Sequence, residues 1–264
     1  MTRALVEAFR VSLSYHVPSA RARSLRYAAA NLAVGGRLMK DGGSSVYVQA
    51  LRDLSFRLED GDRLAIVGSN GSGKSSLLKV IAGVYEPTQG RMEVNGRVSS
   101  MLDIGHGLDM EATGLQNVRL LAAMRGYSPW RLKDHVERIV DFSDLGAFIN
   151  MPVRTYSSGM LARLLFSVAT AFDHDILLLE EWLSAGDENF VKKATARMSD
   201  VLGSTRVVVT ATHSPDLVRA LCNKVLILNH GVPEFLGSVD EYFYRAAVLQ
   251  EQEKKATAGG KLSV

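Results

Sequence analysis

The sequence predicts an α/β fold in which a parallel sheet is covered on both faces by helices, with an antiparallel layer beside it. Three observations lead there. Residues 62–67 (Asp-Arg-Leu-Ala-Ile-Val), 176–179 (Ile-Leu-Leu-Leu), 206–211 (Arg-Val-Val-Val-Thr-Ala) and 224–228 (Lys-Val-Leu-Ile-Leu) are short apolar runs, the pattern of strands buried on both faces. Helical patterns separate these runs, which implies parallel pairing. Residues 5–15, 48–58 and 91–102 instead mix polar and apolar positions, with Asn95-Gly96 as a turn signal, and read as a half-exposed antiparallel layer.

The remaining elements follow from local signals. Two helical patterns succeed one another from Thr113 to Phe142, broken at Gly126-Tyr127-Ser128-Pro129. Ser128 is placed to cap the second of them and Pro129 to open it. The apolar period from Leu161 to Phe172 predicts a further helix. No internal repeat is visible. The tail 249–264, with Glu253-Lys254-Lys255 and Gly259-Gly260, has too few apolar residues to order itself and is expected to be disordered, which leaves 1–248 as one domain.

Composition bounds the function. The 264 residues are 47% hydrophobic and 22% charged, enough for a sizeable core. No run approaches the ~18 consecutive apolar residues that a bilayer-spanning helix needs, and Met1-Thr2-Arg3 does not begin an export signal. The chain therefore reads as soluble and cytoplasmic. Its single cysteine, Cys222, lies in the apolar stretch Leu217–Leu228 and reads as a core thiol. A net charge of +3 suits anionic substrates or a membrane surface but is too weak to argue for nucleic acid.

The strongest chemical signal is Gly68-Ser69-Asn70-Gly71-Ser72-Gly73-Lys74-Ser75, followed by Ser76. It matches the phosphate-binding pattern G-x-x-x-x-G-K-[ST] and sits between strand 62–67 and a predicted helix at 74–82. Glycines let backbone N–H groups turn inward, and the helix N-terminus adds positive potential. Lys74 would reach the β- and γ-phosphates, and the Ser75 hydroxyl would bind Mg²⁺. The loop alone does not choose among kinases, GTPases and ATPases. Strand 176–179 ends in Glu180-Glu181, the first placed to hold a metal and the second to polarise a water. His213 closes strand 206–211, either as a structural histidine or on the sheet edge where ligands of open α/β sheets collect. Residues 155–160 (Thr-Tyr-Ser-Ser-Gly-Met) precede an apolar helix, and read alone are either an ordinary capped start or a second anion site.

In this order the segments resemble the motifs of ATP-binding-cassette (ABC) ATPases. Gly68–Ser75 resembles the Walker A loop, and Asp103 in Met101-Leu102-Asp103-Ile104-Gly105 falls at the Q-loop. Tyr156–Met160 resembles the signature, usually Leu-Ser-Gly-Gly-Gln. Leu177–Glu181 resembles the Walker B strand, Ser184-Ala185-Gly186-Asp187 the D-loop, and His213 the switch histidine. The likeness runs from about residue 5 to about residue 245. It implies a P-loop NTPase fold with a RecA-like parallel-sheet core, an antiparallel β-subdomain and a helical signature subdomain at roughly 106–165. It also implies ATP and Mg²⁺ as cofactors, with Ser75, Asp103 and Glu180 toward the metal, Glu181 as catalytic base and His213 sensing the γ-phosphate. Tyr15 would stack on adenine, with Tyr47 as the alternative. Ser157, Ser158 and Gly159 of one protomer would cap the nucleotide of the other, which makes the working form a homodimer.

A narrower resemblance is to bacterial polysaccharide-export ATPases of the O-antigen, capsule and teichoic-acid group. It rests on the Tyr-Ser-Ser-Gly-Met signature, the carboxylate at Asp103, and Thr113-Gly114-Leu115-Gln116-Asn117. The insertion His16–Tyr47 also fits. Within it Leu25, Ala28, Ala29 and Leu32 follow helical spacing beside Arg21, Arg23 and Arg26, as a membrane-facing helix or a plain amphipathic one. The resemblance implies integral membrane partner subunits, a lipid-linked polysaccharide substrate, no nucleic acid, and a peripheral place on the cytoplasmic face of the inner membrane. The chain departs from the pattern where Glu180 replaces an aspartate and where Asp103 is shorter than the usual glutamine or glutamate. It also stops where some relatives continue into a sugar-binding domain, so it is not expected to read the polymer's capped end. The rivals are a soluble ABC ATPase acting on DNA or ribosomes, which would carry a coiled coil or a second cassette, and a P-loop kinase, which would need an acceptor site.

Overall fold

A computed structural model of the chain describes residues 5–17, 38–40, 46–101, 107–127, 129–180 and 188–248. Most of the insertion, with Leu25, Ala28, Ala29 and Leu32, lies outside the described residues. So do Asp103, Ser128, Glu181, Ser184–Asp187 and the tail 249–264. The chain divides into two compact units, one of Leu5–Val94 with Val209 onward and the other of Asn95–Val208.

The first unit opens with β1 (Leu5–Val17), β2 (Leu38–Lys40), β3 (Val46–Glu59), β4 (Arg63–Val67), α1 (Lys74–Ile81) and β5 (Gln89–Asn95). A four-stranded sheet runs β2-β3-β1-β5. β1 and β3 pair antiparallel from Leu5↔Glu59 to Val17↔Val46. Alternate side chains (Val6, Ala8, Leu54, Phe56, Leu58) are buried, so the half-exposed layer expected for 5–15 and 48–58 is present. The pairing slips between Ala8 and Val11, at left-handed Arg10 (φ 49), and again between Val11 and Leu13, at left-handed Asp53 (φ 50). Arg10 Nε bonds the Asp53 carboxylate at 3.0 Å, and the Asp53 amide donates to Ser12 Oγ at 3.0 Å. The slipped stretch is bulged, with its own polar closure.

Of residues 91–102, 91–95 lie in β5 of that sheet, and 98–100 leave it. The second unit begins with β6 (Val98–Ser100), and further on holds α2 (Gly114–Met124), α3 (Pro129–Ser143), α4 (Ser158–Ala169), β7 (Ile176–Glu180), α5 (Glu188–Ser204) and the start of β8 (Val207–Ala211). β6 pairs parallel with β7, from Val98↔Ile176 to Ser100↔Leu178. The cause is a contact distant in sequence. The Asp175 carboxylate accepts the Arg97 amide at 2.9 Å, while the Asp175 and Ile176 amides donate to the Arg97 carbonyl at 2.9 and 3.0 Å. That amide is the main reason the Asp175 carboxyl lies below its ordinary value. Asn95-Gly96 (Gly96 φ 130) therefore turns the chain out of one sheet into another instead of closing a hairpin.

The helices expected over Thr113–Phe142 are α2 and α3, separated at Gly126 (φ 80), with Pro129 as first residue of α3. α4 starts at Ser158 rather than Leu161 because Ser157 caps it, and it ends at Ala169 rather than Phe172. There the Thr170 hydroxyl donates to the Phe166 carbonyl at 2.9 Å. The apolar period past that point still packs: Phe172 joins Val118, Leu121, Ile139, Leu145, Ile149, Val153, Leu164 and Val168 in the core of this unit.

The chain passes between units inside β8. The first unit then adds α6 (Pro215–Leu221), β9 (Lys224–Asn229) and β10 (Val232–Ser238). Its strands lie in the order β10-β9-β4-β8, with β4 parallel to β9 and β9 antiparallel to β10. Leu64, Ala65, Ile66, Val209 and Ala211 are buried, as their unbroken apolar runs predict. Half-buried Cys222 packs against the buried Ala65, Val218 and Val225, and burial pushes its thiol up to about 11, which disfavours the thiolate. No described helix is long and apolar enough to cross a membrane.

Candidate functional site

β4 delivers the chain into the loop Gly68–Gly73 and α1 carries it away. Gly71 (φ 75) and Gly73 (φ 109) hold left-handed conformations. A Cβ on Gly73 would lie 2.7 Å from the Ala50 carbonyl oxygen, and one on Gly68 would run into that of Leu228. The glycines thus serve close backbone approach as well as turning. α1 has no side-chain cap, so no serine or aspartate occupies the space before its first amides. The Lys74 side chain curls back over the loop, Nζ donating to the carbonyls of Gly68 at 2.7 Å and Ser69 at 3.0 Å. It is 8% exposed, an ammonium held inside the curl. Ser72 Oγ is buried in the same loop without a hydrogen-bond partner. Ser69, Asn70 and Ser75 are exposed at the rim. A helix start, a buried cation and an unmet hydroxyl make a receptor for phosphate oxygens.

The same unit brings Tyr15 to the loop. Its hydroxyl donates to Ser76 Oγ at 3.0 Å, and burial raises its pKa against the pull of that bond. Its ring meets Tyr85 edge-on, centroids 5.3 Å apart. Tyr47 is the register partner of His16 and packs its ring on the histidine at 5.3 Å. Neighbours along a strand face opposite ways, so Tyr47 lies on the face of the ribbon opposite Tyr15. Of the two tyrosines, Tyr15 is the one joined to the phosphate-loop helix. Tyr85 escaped the sequence reading, because nothing in its local pattern links it to Tyr15.

His213 lies just past β8, exposed. The Thr212 amide donates to the Ile66 carbonyl at 3.3 Å, tying this end of β8 beside the end of β4 where the loop begins. Ser214 caps α6 through the Leu217 amide (3.3 Å), and its own amide donates to Thr212 Oγ1 at 3.1 Å. The backbone on either side of His213 is thus anchored. A second support escaped the sequence reading. β9 and β10 are joined by His230-Gly231, both at positive φ (48 and 80), the requirement of a two-residue type I′ turn. The Gly231 amide donates to the Ser72 carbonyl and its carbonyl accepts the Arg52 amide, each at 2.8 Å. A His-Gly pair directly after the apolar run at 224–228 was the available signal.

In the other unit, Ser157 Oγ accepts the Met160 amide at 3.2 Å and caps α4. Ser157 and Ser158 are exposed. Among the described residues a Cβ on Gly159 would meet nothing nearer than Ser157 Oγ at 3.9 Å, so none of them calls for glycine there. Glu180 ends β7, half-buried. Among the described residues no group of three or more His, Cys, Asp or Glu could hold a metal ion. The Ser75 hydroxyl in one unit and the Glu180 carboxylate in the other are each a hard oxygen donor of the kind Mg²⁺ takes.

Comparison with known proteins agrees with this geometry. The family model described as ABC transporter matches residues 51–184. The O-antigen export system ATP-binding protein RfbE of Yersinia enterocolitica is 38% identical over 222 residues, 84% of this chain and 93% of that protein. RfbB of Myxococcus xanthus, also an O-antigen export ATP-binding protein, is 38% identical over 79% of this chain. The teichoic acids export ATP-binding protein TagH of Listeria monocytogenes is 36% identical over 73%. The chain spans only 48% and 57% of the last two. Among solved structures, an ATP-binding subunit of an ABC transporter aligns over 96% of this chain with a TM-score of 0.68. A dimeric ATP-binding cassette in a post-hydrolysis state, bound to ADP and Pi, aligns over 89% with a TM-score of 0.65. Both are 18% identical and establish the fold.

Proposed function

Because this chain belongs to the ABC transporter family as an ATP-binding, ATP-hydrolysing subunit, we propose that it drives export of a lipid-linked polysaccharide of the O-antigen, capsule or teichoic-acid class. The observation that carries the nucleotide half is the uncapped start of α1, with Lys74 buried in the loop before it. Gly68–Ser76 would hold the triphosphate and Tyr15 the adenine. Ser75, Asp103 and Glu180 would supply oxygen ligands for Mg²⁺, whose charge would offset that of the phosphates. Glu181 would orient the attacking water and His213 would sense the γ-phosphate.

The open surroundings of Gly159 and the exposed Ser157 and Ser158 leave room for a partner protomer's nucleotide. On this reading two copies close head-to-tail, and hydrolysis reopens them. Requiring closure for chemistry ties ATP use to movement in integral membrane subunits bound at the cytoplasmic face. The polysaccharide assignment rests on the relatives being O-antigen and teichoic acids export proteins and on the Tyr156–Met160 and Thr113–Asn117 sequences. Its test is deletion of the gene, with lipid-linked chains measured inside the cell and glycan measured on the surface. Surface glycan should disappear and intracellular lipid-linked chains accumulate. Normal surface glycan, with some other solute failing to cross, would refute the substrate class and leave the ATPase intact.

A further inference from the structure

We infer that Tyr156 is a positioning residue for the nucleotide-capping helix start, its hydroxyl fixing the direction in which Ser157, Ser158 and Gly159 are offered. The inference rests on the head-to-tail reading above and concerns the second unit alone.

Residues 151–156 lead into α4, and they are stitched to the loop before α2. The Val153 amide donates to the Ala112 carbonyl and the Arg154 amide to the Met110 carbonyl, both at 3.0 Å. The Gly114 amide donates to Met151 at 3.3 Å, and Thr113 and Pro152 form an antiparallel bridge. The loop on the far side is itself locked. Asn117, fully buried, accepts the Asp109 amide at 2.9 Å and donates to the Asp109 carbonyl at 2.8 Å. Thr113 and Gln116 form a reciprocal capping box.

Tyr156 plugs into this base. Its hydroxyl donates to the Phe148 carbonyl at 2.7 Å. A Cβ on Gly114 would collide with that hydroxyl oxygen and lie 3.1 Å from Ile149 Cδ1. Gly114 is helical with an ordinary φ, so it is glycine to make room for the tyrosine and not to turn the chain. Two of the sequence features that suggested polysaccharide exporters, the tyrosine that opens Tyr156–Met160 and the glycine of Thr113–Asn117, are therefore one contact. Immediately beyond it the chain is exposed at Ser157 and Ser158. Tyr156 is the last side chain before the helix start that is anchored to the unit's interior. A leucine there could fill the apolar space against Ile149 but could not hold the Phe148 carbonyl.

The test uses the full chain carrying Glu181→Gln, so that ATP-bound dimers accumulate, with and without Tyr156→Phe. Tyr156→Phe should leave the melting temperature and the ATP affinity of single protomers nearly unchanged and raise the dimer dissociation constant about tenfold. Without nucleotide, amide hydrogen exchange should quicken at Ser158–Met160. Gly114→Ala should weaken the dimer as well. Joining it to Tyr156→Phe should restore part of the loss, since removing the hydroxyl frees the space the methyl needs. A Tyr156→Phe chain with parental dimerisation and parental exchange would overturn the inference, as would a double variant no better than Gly114→Ala. If the parent itself forms no ATP-dependent dimer, the head-to-tail reading fails, and the exchange experiment still decides whether Tyr156 orients the segment.

Discussion

Two helix starts in this molecule solve the same electrostatic problem in opposite ways. Each leaves its first amides without intrahelical partners. At α4, Ser157 supplies an internal acceptor to the Met160 amide, so one of its first amides is met within the chain. At α1, Gly73 stands at the cap position, left-handed and without a side chain, and the amides face a loop that holds an ammonium. The difference teaches what each can do alone. α1 is built so that its acceptor comes from outside, and an ATP phosphate can complete it in a single protomer. α4 has spent one amide on its own serine, so on the proposed head-to-tail reading its remaining donors and hydroxyls would give a weaker site, one acting on a phosphate already held elsewhere. Tight binding on one side and conditional capping on the other suit a dimer that closes only around ATP.

Removing the cation from α1 should have the largest effect on nucleotide binding. Lys74→Ala deletes charge-assisted hydrogen bonds and leaves the Gly68 and Ser69 carbonyls facing inward unanswered. The Kd for ATP should rise on the order of a hundredfold, with hydrolysis undetectable. Titration calorimetry with ATP measures the first. Retention of affinity to within about threefold would mean that the helix start, and not the lysine, supplies the attraction.

This half of the site was legible because its physics is local. A buried strand, glycines at fixed offsets and a helix all show in one stretch from Arg63 to Ile81. The four buried strands were legible for the same reason. What escaped depends on residues far apart. β6 leaves the antiparallel layer because Asp175 holds Arg97. That Tyr15 and Tyr47 lie on opposite faces of the ribbon shows only in the register His16↔Tyr47. The early start of α4 was visible in principle, since Ser157 is a good cap, but the apolar period that marked the helix begins later, at Leu161. Gly231 and Gly114 looked like ordinary glycines, and only their neighbours Ser72 and Tyr156 reveal their roles.

A smaller effect should follow from trying to make α1 resemble α4. Gly73→Ser adds the residue type that caps α4, but at φ 109 and with its Cβ 2.7 Å from the Ala50 carbonyl oxygen. Left-handed strain costs about 1–2 kcal/mol before the collision is counted. The loop must shift to admit the side chain, and a cap so gained would compete with phosphate for the same amides. ATP affinity should fall about tenfold and the melting temperature by a few degrees. A Gly73→Ser protein that binds ATP as well as the parent would show that α1 tolerates an ordinary cap, and the contrast between the two starts would lose its basis.

Changing Ser157 should have no effect on ATP binding by single protomers, since the phosphate loop proposed to hold the nucleotide leads into α1. Its two roles can nevertheless be separated. Ser157→Ala removes the acceptor for the Met160 amide and should cost about 1 kcal/mol of stability. Ser157→Asp keeps an acceptor of equal capping strength, and its charge is favourable at a helix N-terminus, so stability should hold or rise slightly. The same charge repels a phosphate. In the Glu181→Gln background, Ser157→Ala should therefore weaken the ATP-dependent dimer only a few-fold, by loosening the helix start and removing one hydroxyl. Ser157→Asp should abolish the dimer while melting at or above the parental temperature. If Ser157 served capping alone, the two variants would rank the other way, with aspartate dimerising like the parent and alanine worse. Dimerisation measured by sedimentation velocity, set beside melting temperatures of the same preparations, distinguishes the two orders because stability and association move in opposite directions for the aspartate only if a phosphate arrives at Ser157.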